Sequence, residues 1–336
     1  MTTAAPFDAV LLISFGGPRG LKEIRPFLAN VLRGRKVPAE RLDAVVHHYE
    51  LFSGVSPLTE ITMRQADGLR ERLRALALPV YVGMRNWHPF LDDTLKKMAG
   101  EGVRRILALT LAPHHSYSSC GQYKQNVVQA LNSSQLEGRN LEVTYVSGWH
   151  THTGFIKANA DHISQAFQKL PANSRSGAQL IFTAHSIPLT MANEARYEKD
   201  LAESAELIAK HLSVTNWAIV YQSRSGRPQD PWLEPDICDY LRKERQRGLE
   251  AAVLSPIGFV ADHIEVLYDL DTEASLTAKE LDIAMARASS VNDHPTFLDM
   301  MADVIQATCL RYATGIPLQI SPSTIGPEPE LPPRER

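Results

Sequence analysis

Short runs of consecutive apolar residues recur along the chain and alternate with stretches of helical periodicity. These runs have the length of a β-strand and few polar positions, as in strands that are buried on both faces. They span residues 9–15, 80–84, 105–113, 141–147, 180–186, 217–223 and 251–259. Between them, apolar positions repeat at helical spacing, as in LTEITMRQADGLRERLRAL and DLAESAELIAKHL. This alternation predicts an α/β fold with parallel sheets and right-handed crossovers.

The strand-like runs fall into two groups along the 336 residues. A boundary near residue 150 would give each half about four strands, and the length suffices for two ordinary α/β lobes. The end of the chain, SPSTIGPEPELPPRER, is rich in proline and polar residues. Such a composition cannot bury enough apolar surface to order a segment, so residues 317–336 are predicted to form a flexible tail.

Charge and hydropathy exclude several classes of protein. The net charge is only -3, with both signs interspersed, which argues against a nucleic-acid partner. No apolar run approaches the roughly 20 residues of a membrane-spanning helix. The leading segment MTTAAPFDAVLLISFGG lacks the basic start of a secretory signal. We therefore expect a cytoplasmic protein without stable membrane insertion.

The three cysteines, Cys120, Cys238 and Cys309, are far apart in the sequence. An odd number of scattered cysteines argues against a disulfide framework and against a zinc site built from cysteine pairs. They are interpreted as ordinary buried or half-buried thiols, and no iron–sulfur cluster is expected.

Polar residues follow several of the predicted strands. In open α/β sheets ligands bind beyond the carboxyl ends of the strands, so these residues are expected to share one cleft. They are Gly16–Pro18, His114–Tyr117, His185–Ser186, Gln222–Arg224 and the stretch from Gly258 to Glu265. His114 and His115 are interpreted as lining of this cleft and not as a pair of metal ligands.

An acidic row follows the last of these strands. Glu265, Asp269 and Glu273 are spaced four residues apart, which on a helix places three carboxylates on one face. One interpretation is a solvated helix edge. The other is a path for a cation, because hard cations prefer carboxylate oxygens. Apolar Val266 and Leu267 beside the row favour a partly buried helix and hence the second interpretation.

His185 ends an apolar strand and precedes Ile187–Pro188. A neutral imidazole accepts a proton near pH 7 or binds a metal ion. A hydrogen-bonded structural histidine is the alternative.

With these residues identified, the chain resembles the ferrochelatase family from about residue 8 to 312. The matching stretches occur in order and are LLISFGGP, RPFLANVLRGR, FSGVSPLTEITMRQ, VGMRNWHPFL, LAPHHSYSSCGQY, FTAHSIP, YQSRSGRPQDPWLEPD and PIGFVADHIEVLYDLD. The chain is most similar to the bacterial branch that makes coproheme from coproporphyrin III.

The resemblance implies two Rossmann-like lobes, residues 1–150 and 151–290, with the active-site cleft between them. A C-terminal helix, residues 291–316, would pack on the first lobe. The implied reaction inserts ferrous iron into a porphyrin during heme biosynthesis.

Site residues carry over from the family one by one. His185 of AHS and Glu265 of VADHIE would be catalytic and would face the metal, and Asp269 and Glu273 would continue an acidic path. The implied porphyrin-binding residues are Ser56, Tyr123, Phe15 and His48.

The chain also departs from some relatives. Phe15 replaces a tyrosine able to touch the metal, Asn86 replaces a histidine, and Leu32 and His48 replace arginines that bind the porphyrin. Cys120 matches a cluster ligand of other relatives, but the tail has no cysteine.

The resemblance to the coproheme-making branch implies coproporphyrin III as the substrate. The basic segment Arg33–Lys36 would favour its four propionates, although four such residues at a helix end are also typical of solvated charge. Protoporphyrin IX, a cobalt-inserting reaction on the same fold, and a carrier that binds a tetrapyrrole or metal without turnover are the alternatives. Ferrous iron is expected as a substrate, without a tightly bound cofactor. The protein is expected to act as a monomer, with transient contacts to neighbouring heme-pathway enzymes.

Overall fold

The computed structural model describes residues 5–34, 37–116, 121–133, 136, 138–146, 148–225, 229–315 and 334–335. The chain divides into two compact units. The first unit comprises Met1–Leu111, Cys120–Ser147 and Met301–Arg336, and the second comprises Ala112–Ser119 and Gly148–Met300.

The described part of the first unit contains a four-stranded parallel sheet in the order β2-β1-β3-β4. Its strands are β1 Ala9–Ser14, β2 Val80–Met84, β3 Arg105–Thr110 and β4 Glu142–Tyr145. Its α-helices are α1 Ile24–Val31, α2 Ala39–Leu51, α3 Leu58–Arg72, α4 Leu91–Gly100 and α5 Gln122–Leu131. Single 3₁₀ turns cover Leu21–Glu23 and Arg74–Leu76.

The described part of the second unit repeats this topology with the order β6-β5-β7-β8, again all parallel. Its strands are β5 Gln179–His185, β6 Trp217–Gln222, β7 Ala251–Ser255 and β8 Ala284–Arg287. The preceding and intervening helices are α6 Thr153–Lys169, a 3₁₀ turn Arg175–Gly177, α7 Leu189–Asn193, α8 Tyr197–Leu212 and α9 Ile237–Arg245. A composite helix follows β7, formed by α10 Ile264–Val266, a π-helix Leu267–Ala274 and α11 Ser275–Glu280.

Two-sided burial explains why the central strands read as continuous apolar runs. Every residue of β1 and every residue of β7 is buried, as expected for parallel strands with helices on both faces. The predicted α/β fold with two parallel sheets is therefore confirmed. Strand β8, Ala284–Arg287, lies at the edge of its sheet and is mostly half-buried. Its apolar run, Ile283–Ala286, is short and contains two alanines, and it was not predicted as a strand from the sequence.

The strand order creates one topological switch point in each unit, where ligand binding is expected. In both sheets the order reverses beside the first strand, between β1 and β3 and between β5 and β7. Ligands of open α/β sheets bind beyond the carboxyl ends of the strands at such a switch point. The loops after Ser14 and Thr110 in the first unit, and after His185 and Ser255 in the second, are therefore where a site is expected.

The last helix, α12 Pro295–Ala313, is divided between the two units at Met300 and Met301. Near its end, the ring of Tyr312 lies 4.8 Å from the ring of Phe7, and its hydroxyl donates to Glu142 at 3.4 Å. Within the described ranges, no helix combines the length and the apolar character needed to cross a membrane.

Candidate functional site

His185 lies at the carboxyl end of β5, beside the switch point of the second unit. Its backbone carbonyl accepts a hydrogen bond of 2.9 Å from the Tyr197 hydroxyl. Its Nδ1 is hydrogen-bonded to the carbonyl oxygen of Ser186. A carbonyl oxygen only accepts, so Nδ1 carries the proton of the neutral ring. The Nε2 of His185 is therefore left with a free lone pair.

The loop between β7 and the composite helix packs closely against β5. A Cβ atom on Gly258 would lie 2.6 Å from the Cβ of Ala184, so this approach requires glycine. Farther along, the carboxylate of Asp262 accepts a hydrogen bond of 2.9 Å from Arg287, whose side chain is 13% exposed. These two anchors fix the entry to the helix that carries Glu265.

Glu265 faces two imidazole rings. Its Oε2 lies 3.8 Å from Nε2 of His185 and 3.5 Å from Nε2 of His263. Burial alone would raise the pKa of Glu265, but the hydrogen bond from His263 and the charges of both histidines lower it to about 2. The structure thus brings His185 and Glu265 together as a base beside a carboxylate that stays ionised at neutral pH.

His263 belongs to the stretch that was placed at the cleft from the sequence, but no catalytic or binding role was predicted for it. A signal was present, because His263 lies two positions before Glu265 in the VADHIE stretch. Its proximity to the carboxylate depends on the turn at the helix start, where His263 is still extended with φ -113°.

The acidic row lies on a helix of a different kind from the one predicted. The sequence spacing predicts an α-helix, whereas residues Leu267–Ala274 form a π-helix with i→i+5 hydrogen bonds. The core-facing residues Val266, Leu270 and Ala274 are fully buried and are also spaced four apart. The carboxylates, each one position earlier, therefore still form one row. Extended π-helix is rare in proteins and occurs often at functional sites.

Asp269 is held by the end of β6. The hydroxyl of Ser223 and the amide of Gln222 donate to its Oδ2, the latter at 3.2 Å. The amide is oriented in turn by the Thr183 hydroxyl, which donates to Gln222 Oε1 at 2.8 Å. Burial and the charges of Glu265 and Glu273 raise the pKa of Asp269 to about 7, outweighing these hydrogen bonds. Asp269 therefore exchanges a proton near neutral pH.

Ser223 reaches Asp269 through an uncommon backbone conformation. Its φ is +60°, in the left-handed region that residues with a Cβ seldom adopt. Such strain persists where the surrounding structure imposes it, frequently at functional sites. Here it directs the serine hydroxyl onto the Asp269 carboxylate.

Glu273 lies at the exposed end of the row. Partial burial and the charge of Asp236 raise its pKa, and a hydrogen bond from Tyr268 opposes that increase. The three carboxylates thus run from an ionised group beside His185, through a group that titrates near pH 7, to one in contact with solvent.

Asp269→Asn is expected to stabilise the protein at high pH. Because the folded-state pKa of Asp269 is raised, the folded state binds the proton more tightly, and stability falls as pH rises from about 4 to about 7. The variant lacks this penalty, so its free energy of unfolding should exceed that of the wild type by about 1–4 kcal/mol at pH 8. The difference should vanish near pH 4. Denaturant unfolding at the two pH values measures it.

The matched control is Asp303→Asn, which removes an exposed aspartate of α12. It should change stability equally at both pH values. A gain for Asp269→Asn that is the same at pH 4 and pH 8 would contradict the raised pKa.

Phe15 and Ser56 lie together in the first unit, at the turn after β1. The backbone N–H of Ser56 donates to the carbonyl of Pro18 at 2.8 Å. A Cβ on Gly17 would lie 2.6 Å from the Cβ of Ser56, so the approach requires glycine. Ser56 is buried, and the half-buried ring of Phe15 packs edge-on against Phe27 at 6.2 Å.

The end of β2 joins the same turn. The backbone N–H of Asn86 donates to the carbonyl of Phe15 at 3.0 Å. The side chain of Arg85 donates to Gln122 at the start of α5, directly before the buried Tyr123. Phe15, Ser56 and Tyr123 are thus carried by neighbouring elements at the switch-point end of this sheet.

His48, the remaining residue predicted to bind the porphyrin, is half-buried on α2. Burial and the charge of His47 lower its pKa. Because a lowered pKa favours the neutral ring, His48 is a poor cation for an anionic ligand at neutral pH.

Three arginines lie close enough in the first unit for their charges to interact. We call them the basic group: Arg33, Arg85 and Arg334. Partial burial and the charges of Arg334 and Arg85 lower the pKa of Arg33, and the charge of Asp92 opposes this. Arg334 pairs with Asp92 at 2.6 Å and lies 5.4 Å over the ring of Phe90. An arginine remains charged despite such crowding, so an anion near this group would be favoured.

The side-chain amide of Asn30 holds the backbone of Glu335, the residue after Arg334. Asn30 accepts the backbone N–H of Glu335 at 2.9 Å and donates to its carbonyl at 2.8 Å. The same amide donates to the carbonyl of Asn86 at 3.2 Å, which links this contact to the Phe15 turn. Of the residues predicted to form a tail, 317–336, the structure describes only Arg334 and Glu335.

Some predicted features lie outside the described residues, namely Cys120 and the pair Arg35 and Lys36. Among the described residues, Cys238 is half-buried and Cys309 is buried, and both are free thiols. Burial raises the pKa of each thiol, which makes them poor nucleophiles.

Comparison with protein families and curated proteins gives consistent matches over most of the chain. The family model described as ferrochelatase matches residues 7–309. A protein named coproporphyrin III ferrochelatase from Streptomyces coelicolor is 42% identical over 90% of this chain and 85% of its own length. One of the same name from Mycobacterium avium is 44% identical, covering 89% and 87%. A protein named ferrochelatase from Rhodopirellula baltica is 45% identical, covering 91% and 87%.

Solved structures show the same fold at low sequence identity. SirB from Bacillus subtilis with Fe3+ aligns with a TM-score of 0.58 and 10% identity, covering 93% of this chain and 99% of that one. The sirohydrochlorin chelatase SirB in complex with cobalt aligns with a TM-score of 0.56 and 9% identity, covering 92% and 97%. At these identities the comparison supports the fold alone.

Proposed function

The chain belongs to the ferrochelatase family, whose enzymes insert ferrous iron into a porphyrin, and we propose that its porphyrin is coproporphyrin III, converted to coproheme. The main structural support for this reaction is the pair His185 and Glu265 at the switch point of the second unit. An imidazole with a free Nε2 lone pair lies 3.8 Å from a carboxylate that remains ionised.

We propose that His185 accepts the two pyrrole protons one after the other and passes the first on before it takes the second. Insertion of Fe2+ requires the loss of two pyrrole protons, and no electron is transferred. A neutral imidazole is suited to this step near pH 7, because its ordinary pKa is close to 6.5. The hydrogen bond from Nδ1 to the Ser186 carbonyl holds the ring with Nε2 available.

Glu265 is proposed to act on both the proton and the metal. Its negative charge stabilises the imidazolium formed when His185 takes a proton, because the two groups lie 3.8 Å apart. Its carboxylate oxygens also suit a ferrous ion that is losing its water shell. The low pKa of Glu265 keeps both roles available at neutral pH.

Protons are proposed to leave along the acidic row. Asp269 is the next carboxylate, and its pKa of about 7 lets it gain and lose a proton twice in each turnover, once for each pyrrole proton. Glu273 follows at the exposed end and can release the proton to water.

The first unit is proposed to supply contacts to the macrocycle through Phe15, Ser56, Tyr123 and His48. A phenyl ring at position 15 offers a hydrophobic surface but no ligand oxygen. We therefore propose that Phe15 packs against the macrocycle and that axial ligation does not come from this residue.

The basic group supports the choice of substrate. Coproporphyrin III carries four propionates, and protoporphyrin IX carries two. Arg33, Arg85 and Arg334 concentrate positive charge near the Phe15 turn, and guanidinium groups pair well with carboxylates. This group could replace the porphyrin-binding arginines that the sequence lacks at Leu32 and His48.

The double variant Arg33→Gln/Arg334→Gln is expected to lower kcat/KM for coproporphyrin III by about 10-fold or more. The loss for protoporphyrin IX should be smaller, because fewer carboxylates lose a partner. Steady-state kinetics with each porphyrin, at equal ferrous iron, measure both. The control Arg139→Gln/Arg311→Gln removes the same charge from exposed positions and should leave the ratio unchanged.

The substrate itself is decided by the ratio of the two specificity constants in the wild type. We expect a clear preference for coproporphyrin III with and without detergent. A preference for protoporphyrin IX under both conditions would contradict the substrate while leaving the family reaction in place.

The remaining partners follow from this chemistry. We propose that Fe2+ enters as a substrate and that no resident cofactor takes part, because the reaction is not a redox reaction. Four carboxylates make the porphyrin water-soluble, so we propose that the protein acts in the cytoplasm. We also propose that it acts as a monomer, with transient contacts to neighbouring heme-pathway enzymes.

A further inference from the structure

A second group of metal-ligating side chains lies in the second unit, apart from His185 and Glu265. It consists of His115, from the segment after β3, His150, before α6, and Asp200 on α8. One ligand atom from each lies within 4.8 Å of the other two. In the sequence, His115 is interpreted as lining of a cleft and not as a metal ligand, and His150 and Asp200 carry no motif.

The distances within this group suit a shared ion. Nδ1 of His115 lies 2.7 Å from Oδ2 of Asp200, and Nε2 of His150 lies 3.7 Å from Oδ1 of the same carboxylate. Nitrogen and oxygen ligands bind a divalent ion at about 2.0–2.2 Å, so two of them on one ion lie roughly 3–3.5 Å apart. Small side-chain movements would therefore bring all three donors onto one ion.

The neighbouring Glu203 offers a fourth donor. Its Oε2 lies 2.9 Å from Nε2 of His150. Two imidazoles and two carboxylates form a mixed nitrogen and oxygen set, which suits first-row divalent ions such as Fe2+, Co2+ and Zn2+.

The burial of the group explains why a positive charge is needed. The side chain of Asp200 is 0% exposed and that of His150 is 8% exposed, whereas that of His115 is 37% exposed and gives access from one side. Oδ2 of Asp200 accepts hydrogen bonds from the backbone N–H of His115 at 3.1 Å and from its ring Nδ1 at 2.7 Å, as an ionised carboxylate does. A buried ionised carboxylate must be paired.

Arg196 supplies part of the positive charge that faces Asp200 and Glu203. Its Nε lies 3.2 Å from Asp200 and its NH2 nitrogen 3.6 Å from Glu203, and the side chain is 59% exposed. A long, exposed side chain can turn into solvent at little cost, so Arg196 is the cation that a metal ion would displace.

We propose that His115, His150 and Asp200, with Glu203, form a binding site for a divalent first-row metal ion, separate from the insertion site. Occupancy requires no porphyrin. Helix α8 lies between the two sites, because Tyr197, three residues before Asp200, donates to the carbonyl of His185. The proposed metal site would hold a ferrous ion apart from the macrocycle.

The test measures Co2+ binding in chelator-treated protein without porphyrin, by equilibrium dialysis and visible absorption. The background variant is His185→Ala/Glu265→Gln, which removes the insertion-site donors. We expect it to retain one Co2+ per chain. Adding His115→Ala should weaken this binding about 10-fold or more. Adding Arg196→Gln instead should strengthen it, because the competing cation is lost.

Two controls keep the test decisive. His211→Ala removes an exposed histidine of α8 and should leave Co2+ binding unchanged. His115 is partly exposed, so its removal is not expected to unfold the chain, and circular dichroism checks this. The proposal is overturned if the background variant binds no Co2+ at millimolar concentration. Equal binding with and without His115→Ala would overturn it as well.

Discussion

Replacing His185 with alanine is expected to lower kcat for iron insertion by about 10²- to 10⁴-fold, the range typical for loss of a general base. The reason is the free Nε2 of a ring whose Nδ1 is held by the Ser186 carbonyl. The fold should survive, because His185 is half-buried at the end of β5 and the hydrogen bond from Tyr197 is made to its backbone. Initial rates of porphyrin consumption under anaerobic conditions measure the effect.

The matched control for this variant is His211→Ala, which should turn over at the wild-type rate. A pH profile adds a second readout. The residual rate of His185→Ala should respond to pH differently from the wild-type rate, because the general base has been removed. Near wild-type turnover in His185→Ala would refute the role of this residue.

Glu265→Gln is expected to lower kcat by about 10²-fold or more, because it removes the charge that faces His185 and His263. Glutamine has nearly the same shape, so the loss isolates the charge. The effects should decline along the acidic row, with Asp269→Asn milder than Glu265→Gln. Glu273→Gln, at the exposed end, should act mainly on the ferrous iron concentration needed for half-maximal rate.

Glu280→Gln removes an exposed carboxylate from the same composite helix and serves as the control. Equal and negligible effects at positions 265, 269 and 273 would contradict a functional row and return it to a solvated helix edge.

Most of the fold could be predicted from the sequence, because strands that are buried on both faces appear in it as continuous apolar runs. The seven apolar runs correspond to β1 to β7. Strand β8, Ala284–Arg287, is stabilised by pairing with β7 and by ion pairs of Arg287 with Asp262 and Asp271. These contacts are made with residues that are not its sequence neighbours, and its short apolar run was too weak a local signal to indicate a strand.

The site could be predicted in part, and the limits have physical causes. The acidic spacing predicts a helix face, but α- and π-helices both keep residues four apart on one side, so spacing could not distinguish them. The pKa of about 7 at Asp269 results from burial and from the charges of Glu265 and Glu273, and burial depends on the tertiary fold, which the spacing of the row does not show. The contacts of Arg334 with Asp92 and Phe90 join residues more than 200 positions apart, and proline-rich composition gave no sign of them.

The central claim is catalytic insertion of ferrous iron into coproporphyrin III, and one anaerobic turnover measurement tests it most directly. Purified protein at a small fraction of the porphyrin concentration is mixed with Fe2+ and coproporphyrin III, and coproheme is quantified by absorbance as free-porphyrin fluorescence falls. We predict many equivalents of coproheme per chain, at a rate far above that of protein-free solution. Product limited to about one equivalent per chain, or a rate equal to the protein-free reaction, would contradict the account and indicate a protein that binds the porphyrin without turning it over.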